Sequence, residues 1–175
     1  DGTAVQTPGK KIFPYIQKNL DDIITVEDDE LVASFLDMVE NHKMVVENSG
    51  LLTVAALKHL DVTDKRVVSI LSGGNMDVIT MSSVVQNGLI LRDRIFTVSV
   101  LLPDKPGELS KVSATIAKEQ GNVIKLEHNQ FVNTNRNAAV ELRITLESFG
   151  TDHKKQIIRA LEEDGYKPKV VRTSL

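Results

Sequence analysis

The chain has 175 residues, enough for one domain or two small ones, with 41% apolar and 26% charged residues and a formal net charge of −3. It has no Cys, which excludes disulfides, thiolate chemistry and cysteine-based zinc sites. Its dispersed basic residues leave no electrostatic footprint for nucleic acid, and no apolar run reaches the ~18 residues a membrane-spanning helix needs. Aromatics are 4% and Trp is absent, so any core must be built from Val, Ile and Leu.

The first ninety residues alternate between helical and strand-like patterns. Lys10 to Asn19 reads as a helix interrupted by Pro14. Ile23 to Val26 is a short β-branched run and is expected to be a strand. Asp28-Asp29-Glu30 puts acids at a helix start, and Leu31, Phe35, Met38 and Val39 carry the helical spacing to about His42. Met44 to Val46 is a short apolar run. Leu51 to Leu60 is apolar on nearly all sides and is expected to be a buried helix. Arg66 to Leu71 reads as a strand buried on both faces, ended by Ser72-Gly73-Gly74-Asn75. A helix from about Met76 to Gln86 follows, closed by Asn87-Gly88. This order predicts an α/β sheet.

Leu89 to Asp93 is expected to be a linker, and the rhythm then changes. Ile95 to Leu102 alternates, with Phe96, Val98 and Val100 on one face. Asp104-Lys105-Pro106-Gly107 has turn chemistry. Leu109, Val112, Ile116 and Ala117 mark a helix face, stopped by Gly121-Asn122. Val123 to Val132 is a strand, Asn133 to Asn137 a polar hairpin loop, and Ala138 to Leu146 the next strand, with Val140, Leu142, Ile144 and Leu146 on one face. Thr151-Asp152 opens a helix with Ile157, Ile158 and Leu161 on its apolar face. Asp164-Gly165 ends it, and Tyr166 to Arg172 is the last strand. The pattern is βαββαβ, a ferredoxin-like α+β arrangement, which hosts many functions. His42, His59, His128 and His153 fall on different elements without ligand spacing, and no metal is assigned to them or to Asp28-Asp29-Glu30.

The loop Asp104-Lys105-Pro106-Gly107-Glu108-Leu109 resembles the D-x-P-G-x-L signature of ACT domains, the amino-acid-sensing modules of metabolic enzymes. The resemblance covers Arg94 to Thr173 and defines a domain over residues 94–175. It implies that Gly107 lets the backbone approach a small ligand, that neighbouring N–H groups take its carboxylate at a helix N-terminus, and that Gly121 and Asn122 meet its amino group. It also implies a homodimer through this domain, with the effector, isoleucine or valine, at the interface. The plainer readings are a tight turn for Pro106-Gly107 and a helix cap for Asn122; a ligand-free oligomerising module is the alternative function.

Residues 1–90 carry a second resemblance. Asp1-Gly2-Thr3-Ala4-Val5 with Pro8-Gly9, Val26 to Glu30, Val45 to Gly50 with Val54 to Leu57, and Leu71-Ser72-Gly73-Gly74-Asn75 together resemble the C-terminal part of the catalytic domain of threonine ammonia-lyases. These are pyridoxal-phosphate enzymes of fold type II that turn threonine into 2-oxobutanoate and ammonia. The resemblance implies a cytoplasmic parent enzyme. It also implies that Ser72 meets the pyridine nitrogen of the cofactor, that Gly73 and Gly74 allow close approach to the ring, and that Glu47 lies near it. The family's Schiff-base lysine, in an S-F-K-x-R-G setting, and its tetraglycine-type phosphate loop have no counterpart here; the longest glycine run is Gly73-Gly74. With the chain opening at Asp1, the expectation is a C-terminal fragment whose N-terminal catalytic segment is missing, which binds no cofactor and is inactive alone. An apolar face made for the missing strands should then be exposed.

Overall fold

The structure is a computed structural model that describes residues 3, 5–130 and 140–174. The chain divides into two compact units, residues 1–88 and 89–175. Among the described residues, no helix is long and apolar enough to cross a membrane.

The first unit is helical. It holds α1 (Phe13–Asn19), α2 (Asp28–Asp37) continued by a π turn (Met38–His42), α3 (Asn48–Ala55) continued by a 3-10 turn (Ala56–His59), and most of α4 (Val78–Leu91). α1 starts with Pro14 in its first turn, so the proline opens the helix rather than interrupting it. α2 opens on three acids, and the Glu30 carboxylate accepts the Glu27 N–H at 3.0 Å, satisfying one of the orphan donors of the helix start. Leu31, Phe35 and Met38 form the core with Val46, Leu51, Ala55 and Val84. A Cβ on Gly88 would lie 2.8 Å from Leu36 Cγ, so Gly88 lets α4 approach α2.

The α/β sheet expected here is not formed. Among the described residues, Ile23–Val26 and Arg66–Leu71 join no ladder. Arg66–Leu71 was expected to be buried on both faces, yet Val68 is 90% and Ile70 73% exposed. The physical reason is that a strand needs a neighbour for its backbone groups and cover for its side chains, and no described segment of this unit supplies either. The result is an exposed apolar surface at Val67, Val68 and Ile70.

The second unit has the expected βαββαβ order: β1 (Ile95–Leu102), α5 (Glu108–Lys118), β2 (Asn122–Asn129), β3 (Val140–Glu147), α6 (Thr151–Glu163) and β4 (Lys169–Val171). The sheet order is β2-β3-β1-β4, and every pairing is antiparallel. Phe96, Val98, Val100 and Leu102 of β1 and Val140, Leu142, Ile144 and Leu146 of β3 pack with Val112, Ile116, Ile157 and Leu161 of the helices. Alternation puts Thr97 and Thr145 on the opposite face, where their buried hydroxyls pair at 2.9 Å.

Several boundaries differ from the pattern. α5 buries Val112, Thr115 and Ile116, while Leu109 and Ala117 stay exposed. β4 is three residues rather than seven, because Pro168 has no N–H to give to the ladder. Residues 131–139, which hold the expected hairpin loop and adjoining strand ends, lie outside the described residues. The expected linker is mostly helix, since α4 runs to Leu91.

Asp93 follows α4 in a left-handed conformation at φ 55°. Its Oδ1 accepts from Lys154 Nζ at 2.6 Å and its Oδ2 from Thr151 Oγ1 at 2.8 Å. Its carbonyl accepts the Ser148 hydroxyl. The aspartate thereby ties the entry of β1 to the first turn of α6.

Two outcomes follow for stability. Ile144 is fully buried, and Ile144→Ala should destabilise the second unit by roughly 2–5 kcal/mol, read by urea unfolding. The Lys154 hydrogen bond holds the Asp93 carboxyl below the ordinary range, against the opposing effect of burial. A carboxylate with a depressed folded-state pKa contributes stability above its unfolded value and loses it as pH falls through the folded one. Asp93→Asn should therefore be less stable than the parent by about 1 kcal/mol at neutral pH. The gap should close as pH drops below about 4, measured as urea midpoints across a pH series.

Candidate functional site

Two groups of residues were singled out, one in each unit. In the first unit the start of α3 and the turn after Leu71 come together. The Glu47 N–H donates to the Gly73 carbonyl at 3.3 Å, and Glu47 Oε1 accepts the Ser49 hydroxyl at 2.5 Å. Gly73 has φ +74°, and a Cβ there would fall on the Glu47 carboxyl group, 2.8 Å from Oε2. Only glycine allows both the left-handed turn and the carboxylate beside it. Gly74 is less constrained, its nearest neighbour being the Val45 carbonyl at 3.6 Å.

Ser72 enters this cluster through its backbone. A Cβ on Gly50 would overlap the Ser72 carbonyl, so Gly50 is what lets α3 close against the turn. Sequence reading quoted Gly50 but gave it no role; the signal was its place three residues after Glu47. Ser72 itself is exposed, and its hydroxyl has no partner among the described residues. An open cavity of about 370 Å³ lies beside the turn, lined by Glu47, Asn48, Ser49, Asn75, Asp77 and Thr80 among others. Asp77 was also missed. Its Oδ1 accepts the N–H groups of Ile79 and Thr80 at 2.9 and 3.0 Å, capping α4. These bonds, the Thr80 hydroxyl first, hold the Asp77 carboxyl below its usual range.

In the second unit the loop 104–107 is exposed and leads into α5. Lys105 N–H donates to the Pro103 carbonyl at 2.9 Å, and Gly107 adopts φ +91° with open space around its Cα. Gly107 occupies the N-cap position, so no side chain caps α5. The Glu108 N–H donates to the Lys105 carbonyl at 3.5 Å, while those of Leu109 and Ser110 have no backbone acceptor among the described residues, at the positive end of the helix dipole. Glu108 is held by Lys111 at 2.8 Å, and Leu109 is 38% exposed.

Gly121 and Asn122 sit at the other end of α5. Gly121 is needed for packing, since a Cβ would lie 2.8 Å from Ile116 Cγ2 and 3.0 Å from Ile157 Cδ1. Asn122 begins β2 and its Nδ2 donates to Glu147 Oε2 at 3.1 Å, across the β2–β3 ladder. The 11 residues of α5 make it about 16 Å long, with Gly107 at its start and Gly121 just past its end. One small ligand cannot touch both ends within one chain.

The histidines have ordinary partners or solvent. His59 Nε2 lies 3.0 Å from Glu30 Oε2. His153 Nδ1 accepts the Phe149 N–H at 3.0 Å while its Nε2 reaches the Glu119 carbonyl at 2.6 Å. His42 and His128 are exposed. Gly73→Ala should lower the melting temperature through both strain and overlap, at a cost of about 1–3 kcal/mol. Gly74→Ala should stay within about 0.5 kcal/mol of the parent; comparing the two by calorimetry separates a required turn from a permissive one.

Comparison with known proteins agrees with the resemblance to the threonine ammonia-lyases. No family model matches the chain. The L-threonine ammonia-lyase of Geobacter sulfurreducens is 34% identical over 174 residues, 98% of this chain and 43% of that protein. The L-threonine ammonia-lyase of Thermotoga maritima is 31% identical over 172 residues, again 98% and 43%. The biosynthetic L-threonine dehydratase of Escherichia coli is 29% identical over 170 residues, 95% of this chain and 32% of that protein. Among solved structures, prephenate dehydratase from Streptococcus mutans overlays on 43% of this chain and 40% of its own, at 22% identity and a TM-score of 0.38. The chain spans less than half the length of the curated relatives it matches, and along nearly all of its own length it is related to the threonine ammonia-lyases.

Proposed function

We propose that this chain is the C-terminal regulatory portion of a pyridoxal-phosphate-dependent threonine ammonia-lyase. Residues 1–90 close the catalytic domain, and residues 94–175 are an ACT domain that binds an amino-acid effector between two copies. The observation that carries the regulatory reading is the length of α5. Its uncapped N-terminus at Gly107 suits a carboxylate, while Asn122 lies past the far end of this helix, which is about 16 Å long. Only a second copy, with its α5 antiparallel to the first, brings the two ends to one ligand.

β2 is the edge that suits such pairing. It has one neighbour, β3, and Val123, Ile124 and Leu126 are exposed. An edge with apolar residues invites another strand. Antiparallel pairing of β2 with itself about Leu126 places each Lys125 opposite the second copy's Glu127, giving two cross-strand ion pairs.

The catalytic reading rests on Ser72, Gly73, Gly74 and Glu47. Pyridoxal phosphate, when bound, supplies the electron sink for β-elimination. The free Ser72 hydroxyl suits the pyridine nitrogen as a neutral partner, and the Gly73 turn with Glu47 forms one wall beside it. The lysine and phosphate loop belong to the segment that would also cover Val67, Val68 and Ile70. The chain by itself is then without lyase activity.

Titration calorimetry with isoleucine and valine tests the sensor. Saturable heat with the parent, lost in Gly107→Asp, is expected. Silence for these and the other common amino acids overturns effector binding and leaves an oligomerising module. Sedimentation tests the pairing: Glu127→Lys should weaken the dimer about tenfold, and Lys125→Glu combined with Glu127→Lys should restore it.

A further inference from the structure

The second unit carries a further cavity that shares Glu108 with the 104–109 loop and lies away from the β2 edge. It lies at the opposite edge of the sheet, has a volume of about 860 Å³, and involves β1, β4, the start of α5 and the turn after α6. Its origin is readable in the ladder. β4 pairs with β1 only from Thr97↔Val171 to Ser99↔Lys169. Continued by one step, Val100 would face Pro168, which has no N–H to donate. The chain between α6 and β4 diverges instead, with Gly165 at φ +88° and the Tyr166 N–H taken by the Leu161 carbonyl. The far end of β1 is left as an apolar floor of Leu101 and Pro103, with Val171 beside it.

The polar groups around this floor divide into engaged and free. The three carboxylates are engaged: Glu108 with Lys111, Glu141 with Ser99 and Arg143, and Asp164 with the Thr115 hydroxyl. Tyr166, Lys167 and Lys169 also line the cavity, and their side chains have no hydrogen-bond or ion-pair partner among the described residues. Burial, aided by Glu108, pushes the Tyr166 hydroxyl above its usual range, so it remains a donor. The free groups are thus two cations and a hydroxyl beside an apolar floor, while each carboxylate already accepts at least one hydrogen bond.

We propose that this cavity binds a small carboxylate with an apolar body, its carboxylate on Lys167, Lys169 and the Tyr166 hydroxyl and its body on Leu101 and Val171. An amino acid fits less well, since Glu108, Glu141 and Asp164, which would have to take its ammonium group, already accept from Lys111, from Ser99 and Arg143, and from Thr115, and draw a further cation less strongly. A phosphate dianion leaves the floor uncovered and meets those same three carboxylates. The site is complete within one copy and does not depend on the lyase reading or on the effector site at Gly107.

The test uses the full chain with butanoate, hexanoate and octanoate, followed by backbone and side-chain NMR shifts. Saturable shifts at Leu101, Tyr166 and Val171 are expected, with affinity rising about twofold per methylene, since the open floor buries each only in part. Lys167→Glu combined with Lys169→Glu should weaken octanoate at least about tenfold with an unchanged melting curve. Tyr166→Phe should weaken it a few-fold. The proposal is overturned by absence of saturable shifts for every chain length, or by equal affinity in the double lysine variant. It is also overturned if 2-aminohexanoate or inorganic phosphate binds as tightly as hexanoate.

Discussion

The second unit depends on how the two edges of β1 are satisfied. On one edge all eight residues pair with β3, from Ile95↔Glu147 to Leu102↔Val140. That unbroken ladder sets the register, and the register decides which side chains meet the helices. A slip of one residue in β1 would turn Ser99 inward and Val98 outward, and one in β3 would turn Glu141 and Arg143 inward and Leu142 and Ile144 outward. No such alternative could bury enough apolar surface to compete. The other edge pairs over three residues only, and the sheet there ends in a notch rather than a strand.

The same requirement explains the contrast between the units. Arg66–Leu71 has the β-branched composition of a buried parallel strand, but composition is only a preference. Thr53 Oγ1 donates to the Ile70 carbonyl at 3.0 Å and Ser69 Oγ donates to the Thr53 carbonyl at 3.4 Å, each bond with a side chain as donor rather than a backbone ladder. The helices of this unit need no such partner, because their backbone bonds are internal. They pack around Phe35 and Leu51, while the strand-like segments remain as exposed apolar surface.

What was legible in the sequence follows the same division. Period-2 alternation located β1 and β3 because both are half-buried, and helical spacing located α2, α5 and α6 because each buries one face. The start of β4 was not legible, because the effect of Pro168 depends on its place opposite Val100, a register that the local sequence does not contain. At the candidate site, Glu47 with Gly73 was legible only through the resemblance; nothing local in the sequence places a carboxylate against a glycine 26 positions away. Asp93 was less legible still, since its partners Thr151 and Lys154 lie 58 and 61 residues on. Gly121 shows the reverse case: its packing against Ile116 and Ile157 accounts for the glycine without any ligand.

The geometry of α5 has a thermodynamic consequence for the proposed sensor. A two-fold pair is self-complementary, so the loop of each copy meets the Asn122 end of the other, and two equivalent sites form together. A ligand held between copies binds the dimer and not the monomer. Its affinity and the dimer's own stability are then linked, and each must strengthen the other by the same factor. The signal such a domain can send is therefore bounded by how much looser the empty pair is than the filled one. A β2 interface held by a few apolar residues and two surface ion pairs, each worth well under about 1 kcal/mol, is weak enough for that difference to matter. A large permanent interface would hold the copies together whether or not the ligand was present, and the loop at Gly107 would then have little left to report.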